Sequence, residues 1–160
     1  MANLITSDQV KAVVTPVVAL DPAFFDTSIQ YVEDSIICGI LTKNLYDNLL
    51  FALTTPPLSA AYQELYDIVV NAESYAVAFA GYTKDLERKT NNQGFMENHT
   101  QWSKSAKVTE ANRLLASIKE REFFYCKQLG DFLIENQADY IFFDPEAITY
   151  SPNFRRFFPI

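Results

Sequence analysis

Apolar residues recur every three or four positions through most of this chain, and clusters of polar turn formers interrupt the recurrence at a few places. Thr6 followed by Gln9 fits a capping box and predicts a short first helix, which Pro16 ends or interrupts because the residue before proline avoids the α region. Asp21 and Pro22 suit the cap and first position of a second helix, with Phe25, Ile29, Val32 and Ile36 on one face. Gly39 is placed to close that helix with a left-handed residue. Thr42 can then cap a third helix from about Lys43 to Leu53, striped by Leu45, Leu49 and Leu53, which the TTPP stretch ends.

Ser59 is positioned to cap a fourth helix, where Tyr62, Leu65, Val69, Ala72, Ala76 and Phe79 form a seam that calls for a partner helix. Ala72, Ala76 and Ala80 leave room for that partner to come close. From Lys84 to Lys104 the apolar period disappears, so a loop or short β-hairpin is expected around 88–104, turning near Asn92 to Gly94. A last long helix follows from about Ser105 to Asn136, striped by Ala111, Leu115, Ile118, Tyr125, Leu129 and Phe132. Glu122 interrupts the stripe and Phe123 and Phe124 lie off it, which suggests a helix that buries more than one face. The expected fold is therefore all-α, about five helices with a small hairpin or extended loop, in a helical domain over 1–140 and an irregular aromatic extension over 141–160.

With 160 residues, 49% of them hydrophobic and 21% charged, the chain is one ordinary domain, and four glycines are few for a turn-rich β-fold. Twenty acidic against thirteen basic residues give a charge of −7, without the basic clusters that grip phosphates, so nucleic-acid binding is a poor reading. An acidic wall past which DNA slides remains compatible. Cys38 and Cys126 fall in apparent helices and outside any CxxC spacing, which fits reduced, buried thiols and a cytosolic setting. The first residues lack the layout of a signal peptide, and no apolar run approaches membrane-spanning length.

Candidate chemistry is sparse. His99 is the only histidine, with Glu97 as its one nearby acid, so no zinc spacing is present, and a Cys126 and His99 pair is opposed by the aromatic surroundings of Cys126. The acid pairs Glu33 with Asp34, Asp131 with Glu135 and Asp144 with Glu146 read as solvated helix faces. No phosphate-binding glycine loop or nucleophile elbow occurs. The expectation is no enzyme, no cofactor and no metal.

Three phrases in order are more informative than any one of them: GILTKNLYDNLL from Gly39 to Leu50, TNNQGF from Thr90 to Phe95, and FFYCKQLGDFLIEN from Phe123 to Asn136. With the LITSDQVK start, this succession over about residues 4 to 140 resembles the head–tail connector (adaptor) proteins of tailed phages, especially those infecting Bacteroides-like bacteria. Ile40-Leu41-Thr42 stands where those relatives often have a Leu-Gly pair. The resemblance implies a helical bundle with a small hairpin, assembled as a ring, commonly twelvefold, beneath the portal vertex. Such a ring joins the portal to the next tail component and lines the DNA channel, so the implied location is the virion neck, after assembly in the host bacterial cytoplasm.

A closed ring needs two different adhesive surfaces per subunit. The expected contact residues are Asn91, Asn92, Gly94 and Phe95 in the loop and Phe123 and Phe124 on the long helix. The aromatic extension adds Phe142, Phe143, Phe154, Arg155, Arg156, Phe157 and Phe158. That extension either seals its own core or docks on another molecule, and both readings stand at this level. The alternative function is a small helical binding or regulatory protein acting as a monomer or dimer. Within either reading, GILTKNLYDNLL is expected to fix the corner between two packed helices.

Overall fold

The structure, a computed structural model, describes residues 3–14, 23–92 and 101–150. Thr6 and Gln9 form the expected reciprocal box: the Thr6 N–H donates to Gln9 Oε1 at 2.9 Å and the Gln9 N–H donates to Thr6 Oγ1 at 3.3 Å. Helix α1 (Ser7–Val14) follows, with Val10 and Val14 buried. Pro16, Asp21 and Pro22 lie outside the described residues. Helix α2 (Ala23–Val32) passes through a π-helical turn (Glu33–Ile37) directly into α3 (Cys38–Leu41). The path then turns by 112° into α4 (Lys43–Leu53).

That corner corrects the reading of Gly39. Gly39 has no positive φ and does not end the helix; the left-handed position is Thr42, at φ 65° and ψ 151°. A β-branched residue there is strained by about 1–3 kcal/mol. Thr42 does occupy the N-cap of α4, and its carbonyl accepts the Tyr46 N–H at 3.0 Å. Its hydroxyl caps nothing and is buried with no hydrogen-bond partner. The position holds a backbone shape that glycine adopts freely.

Ser59 caps α5 (Ala60–Asn92) as expected, its Oγ accepting the Tyr62 N–H at 3.4 Å. This helix is 33 residues long, about 50 Å, and packs against α6, α1, α2, α4 and the π turn. Leu65, Val69, Ala72 and Ala76 are buried on the seam, with Tyr62 and Phe79 half-buried at its ends. Helix α6 (Gln101–Glu135) runs beside it. The stretch expected as loop or hairpin is thus helical at 84–92 and 101–104, and no strand occurs among the described residues. The residues of KDLERK are mostly strong helix formers, so the helix can continue where the apolar period is lost.

The buried line of α6 is Ile118, Glu122, Cys126, Leu129 and Leu133, so Glu122 lies on the seam instead of interrupting it. Tyr75 of α5 stacks on Tyr125 with ring centroids 5.2 Å apart, and Arg121 donates to the Tyr75 hydroxyl at 2.9 Å. Counting α2, the π turn and α3 as one helical run, the described residues form five such runs in an all-α bundle.

After α6 the chain folds back through 3₁₀ turns at Gln137–Asp139 and Pro145–Ala147. Tyr140 is buried, donates to the Ala61 carbonyl at 2.8 Å and meets Tyr62 edge to face. Phe143 is also buried. The Thr149 and Tyr150 N–H groups then both donate to the Gly39 carbonyl, at 3.0 and 3.2 Å. A Cβ on Gly39 would lie 2.8 Å from Tyr150 Cβ and 3.0 Å from Thr149 Oγ1, so Gly39 is small to admit this strap.

Candidate functional site

Two arrangements stand out in the described residues: a buried acid pair at the π turn, and an exposed face on α6. The pair arises because the π turn rotates Glu33 into the core, where it is fully buried. Glu33 accepts the Leu4 N–H at 2.5 Å and the Tyr46 hydroxyl at 2.9 Å, tying the N-terminal segment, α2 and α4 together. Tyr66 of α5 reinforces this tie by donating to the Leu4 carbonyl at 3.1 Å. Glu73, from the middle of α5, is buried beside Glu33, and neither of its oxygens receives a hydrogen bond. Burial first, then the charge of Glu33, push Glu73 well above the usual carboxylate range. Burial, and the bond to Glu33, likewise push the Tyr46 phenol up.

Glu122 is a third inward carboxylate. Burial raises it to about 7, against the opposing effects of the Lys119 charge and the hydrogen bond from Tyr150. That bond fastens the strap to α6 as the Gly39 carbonyl fastens it to α3. Burial also pushes the Cys126 thiol well up, so this cysteine is a packed side chain with little thiolate. Cys38 is half-buried and is raised by the same cause.

The sequence-predicted acid pairs separate. Glu33 turns inward, while Asp34 accepts from Gln30 Nε2 at 3.0 Å on the surface. Asp131 pairs with Lys127 one turn away, and Asp144 accepts the Glu146 N–H at 3.0 Å as the cap of a 3₁₀ turn. Among the described residues no group of three or more His, Cys, Asp or Glu is placed to hold a metal ion. His99 lies outside them. No single helix there is long and apolar enough to cross a membrane.

Of the expected contact residues, Asn91 and Asn92 end α5, and Gly94 and Phe95 lie outside the described residues. Phe123 is half-buried, while Phe124 is 60% exposed, its ring edge-on to Tyr125. Phe142 is exposed but Phe143 belongs to the core, because the strap folds it inward, and it is withdrawn as a contact residue. Phe154, Arg155, Arg156, Phe157 and Phe158 lie outside the described residues. Tyr31, Phe51, Ile134 and Ile141 are large apolar side chains on the surface that sequence reasoning missed; the first three sit beside a recognised stripe, and Ile141 lies on the strap.

Sequence reasoning also missed Glu33, Glu73 and Glu122 as one class. Their signal was an acid at an apolar-periodic position: Glu33 after Ile29, Glu73 between Val69 and Ala76, Glu122 between Ile118 and Cys126.

These features define a helical bundle closed by a C-terminal strap, with polar locks inside and several large apolar side chains exposed outside. The chain belongs to DUF6712, a family of unknown function, whose model matches residues 22–150. The matched stretch runs from the start of α2 to Tyr150, the residue seated on Gly39. None of the curated proteins and none of the solved structures compared with the chain matches it.

Proposed function

We propose that this protein is a structural component of a phage head–tail connector, forming a ring below the portal that joins capsid to tail and surrounds the DNA channel. Its partners are further copies of itself, twelve being the number that the resemblance implies, the portal protein and the next neck or tail component. Genomic DNA is present only as the channel's contents. The protein assembles in the bacterial cytoplasm and resides in the virion neck, acting by shape and packing without turnover.

The observation that carries this reading is the separation of exposed apolar side chains onto different elements: Tyr31 on α2 and Phe51 on α4, against Phe124 on α6 and Ile141 and Phe142 on the strap. Exposed residues of this size on unlike elements supply the two unlike surfaces that head-to-tail closure requires. The ordered phrases of the resemblance and the charge of −7, which disfavours adhesion of DNA, support the same reading.

The test is to purify the chain with its portal protein and image the complex, alongside mass analysis of intact virions. A ring seated on the portal is expected. A chain that never joins a portal or a virion would sink the proposal.

A further inference from the structure

The strap divides into two halves. Its first half is anchored in the core: Tyr140 donates to the Ala61 carbonyl at 2.8 Å with its ring against Tyr62 and Phe132, and Phe143 is buried. Beyond Phe143 no described residue is buried. Asp144 to Ala147 are exposed around the second 3₁₀ turn, and Ile148 and Tyr150 are only half-buried against the core. The end of the strap therefore hangs on three hydrogen bonds, from the Thr149 and Tyr150 N–H groups to the one Gly39 carbonyl and from the Tyr150 hydroxyl to Glu122. A segment with so little buried apolar surface opens at a far lower free energy than the bundle it rests on.

Glu122 meets this end of the strap from the buried line of α6, where it is 8% exposed. We propose that Ile148 to Tyr150 form a pH-sensitive latch on Gly39 and Glu122, seated while Glu122 carries its proton and released when Glu122 ionises, with Tyr140 and Phe143 remaining in the core. Ionisation of a buried carboxyl is costly while the strap is seated, and opening lets water reach the charge. Release leaves the Gly39 carbonyl without its two strap donors. The latch thus sets whether the end of the strap is held to its own bundle or is available to a neighbour.

The groups around Glu122 leave it as the one that switches. Lys119 on its own helix favours the ionised form, as does the Tyr150 hydroxyl from the strap, and burial outweighs both, so the carboxyl keeps its proton to about 7. Burial also raises the Tyr150 phenol and the Cys126 thiol, one turn along α6, so both stay protonated in the neutral range. From α5, Tyr75 faces α6 with its hydroxyl on Arg121, and on α3 the charged neighbours of Cys38 are Lys43, Asp47 and Asp34; neither Tyr75 nor Cys38 acts on Glu122. Opening returns Glu122 to water, where it ionises near 4.5. From about pH 6 to 8 the open form therefore gains about tenfold over the seated one, the response levelling off above about 7.

The test is amide hydrogen exchange of the full chain, read by nuclear magnetic resonance at Thr149, Tyr150 and Val69, with each rate divided by the unstructured-chain rate at the same pH. Val69, fully buried in α5, reports opening of the whole bundle. Thr149 and Tyr150 are expected to be less protected than Val69 throughout, and their protection to fall about tenfold from about pH 6 to 8. In Glu122→Gln that protection should be level across the range. Tyr150→Phe removes a bond that favours the ionised form, so its strap amides should lose more protection than those of wild type over the same range. Equal protection at Val69 and the strap would show that the strap opens only with the bundle and would overturn the latch. Low strap protection indifferent to pH in wild type, a fall that survives Glu122→Gln, or a shallower fall in Tyr150→Phe would each overturn the role of Glu122. The wild-type series is decisive by itself if a variant does not fold.

Discussion

Replacing Glu122 with glutamine should make the protein more stable at high pH and leave it nearly unchanged at low pH. Glu122 is 8% exposed, and burial lifts its carboxyl from 4.5 to about 7 despite the Lys119 charge and the Tyr150 hydroxyl. In the unfolded chain the group loses its proton near 4.5, whereas the folded chain keeps it until about 7. Between those values the folded state binds more protons, so raising the pH favours unfolding. The stability present below pH 4.5 is lost through that window, and the loss is complete above about 7. At about 1.4 kcal/mol per pH unit this amounts to about 3 kcal/mol.

Glutamine keeps an oxygen for the Tyr150 hydroxyl and cannot ionise. Its buried amide adds an offset of about 1 kcal/mol that does not vary with pH. Glu73 titrates in both proteins and cancels in the difference between them. The assay is urea unfolding followed by far-ultraviolet circular dichroism at fixed pH values from about 5 to 8.5. The gain of Glu122→Gln over wild type should rise by about 2.5 kcal/mol across that range, part of the change having occurred below pH 5. Parallel pH dependences for the two proteins would refute the assignment of Glu122 as a buried, proton-retaining acid.

Three further substitutions probe the corner and its locks. Thr42→Gly should not destabilise the protein and is expected to gain up to about 1 kcal/mol, as relief of the left-handed strain outweighs backbone entropy; a loss above about 1 kcal/mol in urea unfolding would contradict this. Gly39→Ala should cost about 1–3 kcal/mol by driving the strap off its carbonyl, and amide hydrogen exchange at Thr149 and Tyr150 should speed up; unchanged protection there would show the strap does not need the close approach. Glu33→Ala should cost about 3 kcal/mol or more by stranding the Leu4 N–H and the Tyr46 hydroxyl, and a loss below about 1 kcal/mol in thermal unfolding would mean water replaces the carboxylate.

Local signals in the sequence proved legible, and long-range ones did not. The Thr6 and Gln9 box, the Lys43–Leu53 helix, the Ser59 cap and the Leu65 to Ala76 seam all follow from spacings within a few residues, where side chain and backbone meet regardless of the rest of the fold. The pairing of Glu33 with Glu73 joins distant parts of the chain and depends on a π turn that no residue pattern announces. Gly39 looked like a helix stop because glycine usually serves that purpose, while its neighbour in space, Tyr150, lies more than a hundred residues away. At 84–92 the error had a different source, since strong helix formers can carry a helix on after the apolar period is lost. Of the candidate contact surface, Phe124 was legible as a large apolar residue off a stripe and Phe142 as part of an aromatic extension, whereas the burial of Phe143 was not legible, because it depends on how the strap folds.

The strap's seat on Gly39 also fixes the route of mechanical load. Tension applied to the chain beyond Tyr150 would not first unwind α6; it would fall on the two hydrogen bonds to the Gly39 carbonyl and the Tyr150–Glu122 bond, and so on the bend at Thr42. A neighbour that held this terminus would be pulling on the corner between α3 and α4, about a quarter of the way along the chain. In the connector ring proposed above, such a corner is where strain between adjoining subunits would first be felt.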